Sequence, residues 1–174
     1  MRVFISIELP EGIIREIKKI QEKLPEFSGK KTELENLHLT LKFLGEISKE
    51  KVEEIRKRLG KINLNKINCE IDNLGFFSPS FIRIIWVHLK WAEELQKAVD
   101  KSLSGLFEKE ERFMGHITIA RVKNIKNKKK FIEELGKINF KKMNFVVDRF
   151  YLKESVLKPE GPEYKIIEEF ILKK

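Results

Sequence analysis

Two of the three histidines in this 174-residue chain begin the same four-residue pattern. Residues 38–41 read His-Leu-Thr-Leu, and residues 116–119 read His-Ile-Thr-Ile. On a β-strand, residues two positions apart point to the same face and lie about 6.6 Å from each other. Each motif therefore predicts a strand that presents one imidazole and one hydroxyl on a polar face, while the aliphatic residues enter the core.

Two histidines that face one cleft could perform acid–base catalysis, because imidazole is a base when neutral and an acid when protonated. In hydrolysis of a cyclic phosphodiester, one would take a proton from water and the other would give a proton to the departing sugar oxygen. The hydroxyls of Thr40 and Thr118 would bind the non-bridging phosphate oxygens. This chemistry needs no metal or cofactor, and the motifs alone leave open whether His38 or His116 is the acid.

The third histidine, His88, has no threonine two residues later. We expect it to be structural, with a hydrogen bond to a backbone carbonyl. Since the chain has only three threonines, chance is a poor explanation for two matched motifs.

The elements around the motifs follow the same order twice. Residue alternation and apolar runs predict strands at residues 3–7, 38–44, 67–77, 81–89, 116–122 and 145–152, and a last strand at 164–172. Apolar residues at helical spacing predict helices at residues 11–24, 48–59, 91–107 and 127–135. Corresponding strands are 78 residues apart, as His38 and His116 are, which indicates two copies of a β-α-β-α-β unit.

We therefore expect a single domain at residues 1–174 made of two similar lobes, at about 1–77 and 78–155, with a closing segment at 156–174. Two lobes related by a pseudo-two-fold axis would leave a cleft between them, and such clefts are favoured ligand sites.

The composition favours a polyanionic partner, because the net charge is +9. No apolar run approaches the roughly 20 residues that a membrane helix needs. The first residues alternate like a strand and do not resemble a signal peptide, and the single cysteine, Cys69, excludes an internal disulfide. We expect a cytoplasmic monomer that contacts no membrane.

The motifs and their flanks resemble the 2H phosphoesterases, and within them the branch of RNA 2′,3′-cyclic phosphodiesterases, which is also called the bacterial and archaeal 2′-5′ RNA ligases. The resemblance extends over most of the chain and lies in residues 2–7, 38–45, 115–122, 152–155 and 161–164. The paired motifs are specific to the superfamily, and the flanks point to the branch.

This resemblance implies a bilobal α+β fold, with antiparallel sheets flanking a central cleft and helices outside. It implies hydrolysis of terminal 2′,3′-cyclic phosphates on RNA, such as tRNA fragments or oligonucleotides, to 2′-phosphomonoesters. By the same resemblance His38 is the proton donor, His116 is the proton acceptor, and Arg121 contacts phosphate or nucleotide. Simple alternation disagrees for Arg121, which would point away from the cleft unless a bulge or the strand end redirects it.

Several further residues have two interpretations. Lys42 could meet phosphate, or it could be a surface lysine at a strand end. The basic stretch Lys123–Lys130 could follow an RNA backbone, or it could be a solvated helix start. A group of aromatic residues could stack on bases or belong to the core, namely Phe76, Phe77, Phe81, Phe113 and Tyr151.

Three other functions remain open on the sequence alone. The first is ATP-independent 2′-5′ RNA ligation as the main role, and the second is hydrolysis of a small cyclic nucleotide. The third is RNA binding without catalysis, which charge and aromatic content support but which leaves the matched motifs unexplained.

Overall fold

The computed structural model describes residues 1–173, in which nine β-strands and four α-helices are found. The strands are β1 (Arg2–Glu8), β2 (Ser28–Lys31), β3 (His38–Glu46), β4 (Ile67–Phe76), β5 (Ile84–Lys90), β6 (His116–Asn124), β7 (Met143–Val147), β8 (Arg149–Lys158) and β9 (Gly161–Ile171). The helices are α1 (Glu11–Lys23), α2 (Lys49–Leu59), α3 (Glu93–Ser102) and α4 (Lys128–Gly136). None of these helices is both long and apolar enough to cross a membrane.

All strands belong to one antiparallel sheet, in the order β7-β4-β5-β6-β3-β1-β8-β9, with β2 paired to β6. The two motif strands, β3 and β6, meet at its centre, where Leu39 pairs with Ile117. This pair joins the half β7-β4-β5-β6 to the half β3-β1-β8-β9. The predicted α+β class, with antiparallel strands around a central cleft, is confirmed.

Each half of the sheet contains strands from both units of the repeat. The last strand of the first unit, β4, pairs with β5 from the second unit. In the same way β8 pairs with β1. The two units of the repeat thus exchange their third strands within the sheet. The predicted boundaries near residues 77 and 155 describe units along the chain and stay a prediction.

The hydrophobic core lies between the helices and one face of the sheet. Alternate residues of β5, which are Ile85, Val87 and Leu89, are completely buried. Apolar residues of α1 at helical spacing, such as Ile17, are buried in the same core. Burying one such side chain contributes about 1.5–3 kcal/mol. In the two motif strands, the histidine and the threonine lie on the other face and are only half-buried.

Helices α1, α2 and α4 begin within one residue of the predicted starts, and α3 begins two residues later than predicted. The Ser48 side chain accepts a hydrogen bond from the backbone N–H of Lys51, and the Asn127 side chain accepts one from that of Lys130. These caps satisfy N–H groups that have no partner within the helix.

The structure corrects several predicted boundaries. The strand predicted at residues 145–152 is two strands, because Asp148 separates β7, which pairs with β4, from β8, which pairs with β1 and β9. Helix α3 stops at Ser102, shortly before Gly105 at a φ of 84°, where the helical backbone cannot continue. Between α1 and β3, where the sequence predicts neither a helix nor a strand, the structure has β2. Its Gly29 has a φ of 150° and packs against the Arg121 carbonyl too closely for a side chain.

Candidate active site

The two histidine motifs have the same environment along their strands. In both β3 and β6 the histidine and the threonine are half-buried, while the aliphatic residue between them is completely buried. Because the strands are antiparallel and Leu39 pairs with Ile117, the register directs His38 towards Thr118 and Thr40 towards His116. All four polar side chains line one cleft of about 760 Å³.

Backbone carbonyls fix the orientation of both imidazoles. His38 Nδ1 lies 2.7 Å from the Asn36 carbonyl oxygen, and His116 Nδ1 lies 2.9 Å from the Met114 carbonyl oxygen. A carbonyl oxygen only accepts, so each Nδ1 donates a proton to it and each Nε2 is left for chemistry. The His38 Nε2 accepts a hydrogen bond from the Thr40 hydroxyl at 3.0 Å.

His38 is packed between two aromatic rings. The ring centroids of Phe4 and Tyr164 lie 5.2 Å and 5.1 Å from that of His38. Burial is the main reason that the pKa of His38 falls to about 4, although the hydrogen bond to the Asn36 carbonyl raises it. The positive charges of Lys153 and Arg121 lower it further. In the free protein at neutral pH, His38 is therefore neutral.

We expect a bound phosphate anion to raise the pKa of His38, because it opposes the nearby positive charges and replaces lost hydration. In an NMR titration of the histidine ring protons, the His38 resonance should titrate near pH 4 in the free protein and at higher pH with inorganic phosphate. His38→Gln assigns the resonance. An unchanged midpoint at saturating phosphate would contradict this expectation.

His116 has a more open environment. The ring of Phe77 stands perpendicular to it at a centroid distance of 5.1 Å. The Phe77 ring is itself 57% exposed. The two histidines are thus alike in backbone geometry, but His38 contacts two aromatic rings and His116 contacts one.

A β-bulge places Arg121 in the cleft. In β6, Thr118 pairs with Trp86 and Ala120 pairs with Ile85, so Ile119 is an extra residue between two pairs. Its carbonyl accepts hydrogen bonds of 2.9 Å from the Thr32 backbone N–H and from the buried Gln21 side chain. After the bulge, the side chains that point to the cleft are those at odd-numbered positions. Arg121 therefore lines the cleft, although it lies five residues from His116.

An equivalent bulge in β3 accompanies the burial of the Lys42 side chain. Thr40 pairs with Ser6 and Lys42 pairs with Ile5, which leaves Leu41 as the extra residue. The ammonium group of Lys42 is buried and donates to Asp100 Oδ1 at 2.6 Å and to the Glu108 carbonyl at 2.7 Å. The interpretation of Lys42 as a surface lysine was wrong, because the side chain is buried and its ammonium group is paired with Asp100.

The aromatic candidates separate into two groups. Phe77 and Phe113 line the cleft. The other three do not: Phe81 is exposed beneath the Arg83 guanidinium, Tyr151 is buried, and Phe76 packs against the core. Of the five aromatic residues, only Phe77 and Phe113 line the cleft, and Phe76 and Tyr151 belong to the core or pack against it.

The structure adds Tyr164 and Asn36 to the site. Tyr164 lies in the segment 161–164, which was part of the family resemblance, but its position at the start of β9 concealed its contact with His38. Asn36 acts through its carbonyl, which any residue possesses, so no side-chain signal could identify it. Met114 holds His116 in the same way and lies 78 residues further along the chain.

His88 is structural in a different way from the one predicted. Its Nδ1 lies 2.6 Å from Asp72 Oδ1, so its partner is a carboxylate and not a backbone carbonyl. Within residues 1–173, no three His, Cys, Asp or Glu side chains are grouped as metal ligands would be.

Comparison with known proteins identifies the family. The family model described as LigT like Phosphoesterase matches this chain twice, at residues 7–86 and at residues 88–164. The chain belongs to this family. The two matches agree with the two units of the repeat, and the resemblance drawn from the sequence is confirmed.

The relatives of this LigT-like phosphoesterase include enzymes aligned over nearly its whole length. The RNA 2′,3′-cyclic phosphodiesterase of Methanocaldococcus jannaschii is 39% identical, and the alignment covers 98% of this chain and 100% of the relative. The RNA 2′,3′-cyclic phosphodiesterase of Archaeoglobus fulgidus is 33% identical, with 98% and 99% covered.

Solved structures show the same fold. Escherichia coli LigT complexed with 3′-AMP superposes with a TM-score of 0.82 at 25% identity, covering 99% of this chain and 98% of that one. TT0787 of Thermus thermophilus superposes with a TM-score of 0.84 at 24% identity, covering 98% and 97%.

Proposed function

We propose that this LigT-like phosphoesterase hydrolyses terminal 2′,3′-cyclic phosphates of RNA to 2′-phosphomonoesters. The observation that supports this most strongly is the pair of histidines whose Nδ1 atoms are held by carbonyls and whose Nε2 atoms are left for a shared cleft. The relatives named RNA 2′,3′-cyclic phosphodiesterase support the choice of substrate. The proposal includes a monomer that acts in the cytoplasm on tRNA fragments or oligonucleotides, without metal or cofactor.

In the proposed reaction, neutral His116 takes a proton from water through Nε2 while the water oxygen attacks phosphorus. The bond between phosphorus and the 3′ oxygen breaks, and protonated His38 gives its Nε2 proton to that oxygen. The products are a 2′-phosphate and a 3′-hydroxyl, and the two histidines exchange their protons with solvent before the next turnover. Thr40, Thr118 and Arg121 donate hydrogen bonds to the phosphate oxygens as charge develops there.

The low pKa of free His38 is compatible with its role as the acid. A group with a low pKa gives up its proton readily. The substrate brings the negative charge that favours protonated His38, so the acid forms when the cyclic phosphate occupies the cleft.

An RNA that ends in a 2′,3′-cyclic phosphate tests the proposed function directly. We expect conversion to a 2′-phosphate end at an undiminished rate in excess EDTA, because only protein side chains move protons. Enzymatic and mass-spectrometric identification of the end group distinguishes the products. A 3′-phosphate end, or complete inhibition by EDTA, would contradict the mechanism.

Arg121→Ala is expected to raise KM for this RNA by about 10- to 100-fold, because one charged hydrogen bond contributes about 1.5–3 kcal/mol. The matched control is Arg15→Ala, which removes the same charge from an exposed position on α1. Steady-state kinetics of both variants give the comparison. Equal KM values in the two variants would remove Arg121 from the proposed phosphate site.

A further inference from the structure

A series of positive charges continues from the cleft along the second half of β6 and into the start of α4. It consists of Arg121, Lys123, Lys126, Lys128, Lys129 and Lys130, which we name the basic strip. All six side chains are exposed, and no acidic residue occurs between Glu111 and Glu133. The strip therefore forms one uninterrupted cationic segment beside the site.

Most of the positive charges in the strip are not paired with a carboxylate in the described residues. Among the described residues, Lys123, Lys126 and Lys129 form no ion pair, and Lys130 has only a contact of 3.8 Å with Glu134. On α2, by contrast, Arg56 and Arg58 are each paired with a glutamate of the same helix. The strip is thus unlike an ordinary solvated helix face with local ion pairs, and it presents a field that attracts polyanions.

The fold joins the strip to the cleft. Lys30 of β2 pairs with Arg121 of β6 at the cleft, and Ser28 pairs with Asn124 at the other end of the same short ladder. There a second hollow of about 440 Å³ opens, lined by Lys126, Lys130 and the half-buried ring of Phe27 together with Glu26 and Glu134. A strand rises about 3.3 Å per residue, so Lys123 lies about 23 Å along β6 from His116.

The opposite side of the cleft is less suited to a polyanion. The loop at residues 108–112 has three glutamates beside one lysine and one arginine, and Glu110 and Arg112 line the cleft. An RNA strand that leaves the cleft would meet repulsion on that side and attraction along β6.

We propose that the basic strip binds the sugar-phosphate backbone of the RNA on the 5′ side of the terminal nucleotide. A cyclic phosphate at the 3′ end leaves the rest of the strand on the 5′ side, where it passes from Arg121 over Lys123 to Lys126 and Lys129. The preferred substrate is therefore an oligoribonucleotide several nucleotides long and not a free cyclic nucleotide. This inference rests on the proposed function for the identity of the nucleotide in the cleft.

The test compares two triple variants that lose the same net charge. The strip variant is Lys123→Gln/Lys126→Gln/Lys129→Gln. The control variant is Lys57→Gln/Lys61→Gln/Lys97→Gln, whose exposed lysines lie on or next to α2 and on α3 and form no ion pair among the described residues. The two substrates are 2′,3′-cyclic AMP and a single-stranded RNA of about 12 nucleotides with a 2′,3′-cyclic phosphate end.

In the strip variant we expect KM for the RNA to rise roughly tenfold, with kcat and the hydrolysis of 2′,3′-cyclic AMP unchanged. The slope of log affinity against log salt concentration should become shallower by about 2, since each lost phosphate contact on a single strand contributes about 0.7. The control variant should resemble the wild type with both substrates.

Three results would overturn the inference: an unchanged KM in the strip variant, an equal loss in the control variant, or wild-type kcat/KM values that do not differ between the two substrates. If the wild type hydrolysed neither substrate, this result would instead contradict the proposed function. In that case fluorescence anisotropy with an RNA that ends in a 3′-hydroxyl still compares binding by the two variants, and equal affinities would overturn the inference.

Discussion

His38→Ala and His116→Ala are each expected to lower kcat for cyclic-phosphate hydrolysis by about 10²- to 10⁴-fold while the protein remains folded. Each imidazole has one nitrogen committed to a backbone carbonyl and one left to transfer a proton in the cleft. Since the two transfers occur in one reaction, the double variant should lose little more activity than either single variant. Circular dichroism and steady-state kinetics provide the measurements.

The pH profiles of these variants assign the two roles. Activity of the wild type should be bell-shaped, because one histidine must be protonated and the other neutral. If His38 is the acid, His38→Ala removes the fall in rate at high pH, while His116→Ala removes the fall at low pH. The opposite result would reverse the assignment.

The third histidine provides a matched control for both variants. His88 lies directly opposite His116 in the β5–β6 pair and is held by Asp72. We expect His88→Ala to change kcat by less than about tenfold, because no proposed proton transfer involves it. Full activity in His38→Ala or His116→Ala would remove that histidine from the mechanism.

Lys42→Met is expected to lower the free energy of unfolding by about 3–5 kcal/mol, because it leaves Asp100 buried without its cation. The two side chains are only 5% and 6% exposed, and their charged atoms lie 2.6 Å apart. For a chain of this length, a loss of this size lowers Tm by about 10 °C. Calorimetry of Lys42→Met beside the exposed control Lys61→Met, which should change the free energy by less than about 0.5 kcal/mol, measures the difference.

The stability that the Lys42–Asp100 ion pair contributes to the wild type decreases at low pH. Burial raises the pKa of Asp100, but hydrogen bonds from Lys42, Gln96 and the Glu110 backbone lower it more, so its pKa lies below the usual value of 3.8. The ionised carboxylate therefore stabilises the wild-type fold above pH 3.8, and this contribution is lost as the pH falls through the lowered pKa.

A second variant separates the buried charge from the loss of packing. Lys42→Met/Asp100→Asn should recover part of the stability, because no unpaired charge remains buried. A single variant Lys42→Met as stable as the wild type would show that the ion pair contributes nothing.

Much of the site could be predicted because its information is local. A period of two residues places each histidine and threonine on one face of a strand, whatever that strand pairs with. The offset of 78 residues between the motifs indicates equivalent positions in two similar units, and N-cap residues such as Ser48 mark helix starts. The sequence by itself therefore determined the four polar side chains of the motifs, the order of the elements and the resemblance to the family.

Long-range strand pairing decided the rest. The single pair of Leu39 with Ile117 directs each histidine towards the threonine of the other motif, and this register depends on residues far apart in the chain. The bulges at Leu41 and Ile119 depend on partner strands β1 and β5, and they turn Lys42 into the interior and Arg121 into the cleft. Residue patterns along one strand cannot show such bulges, because a bulge is a mismatch in length between two strands.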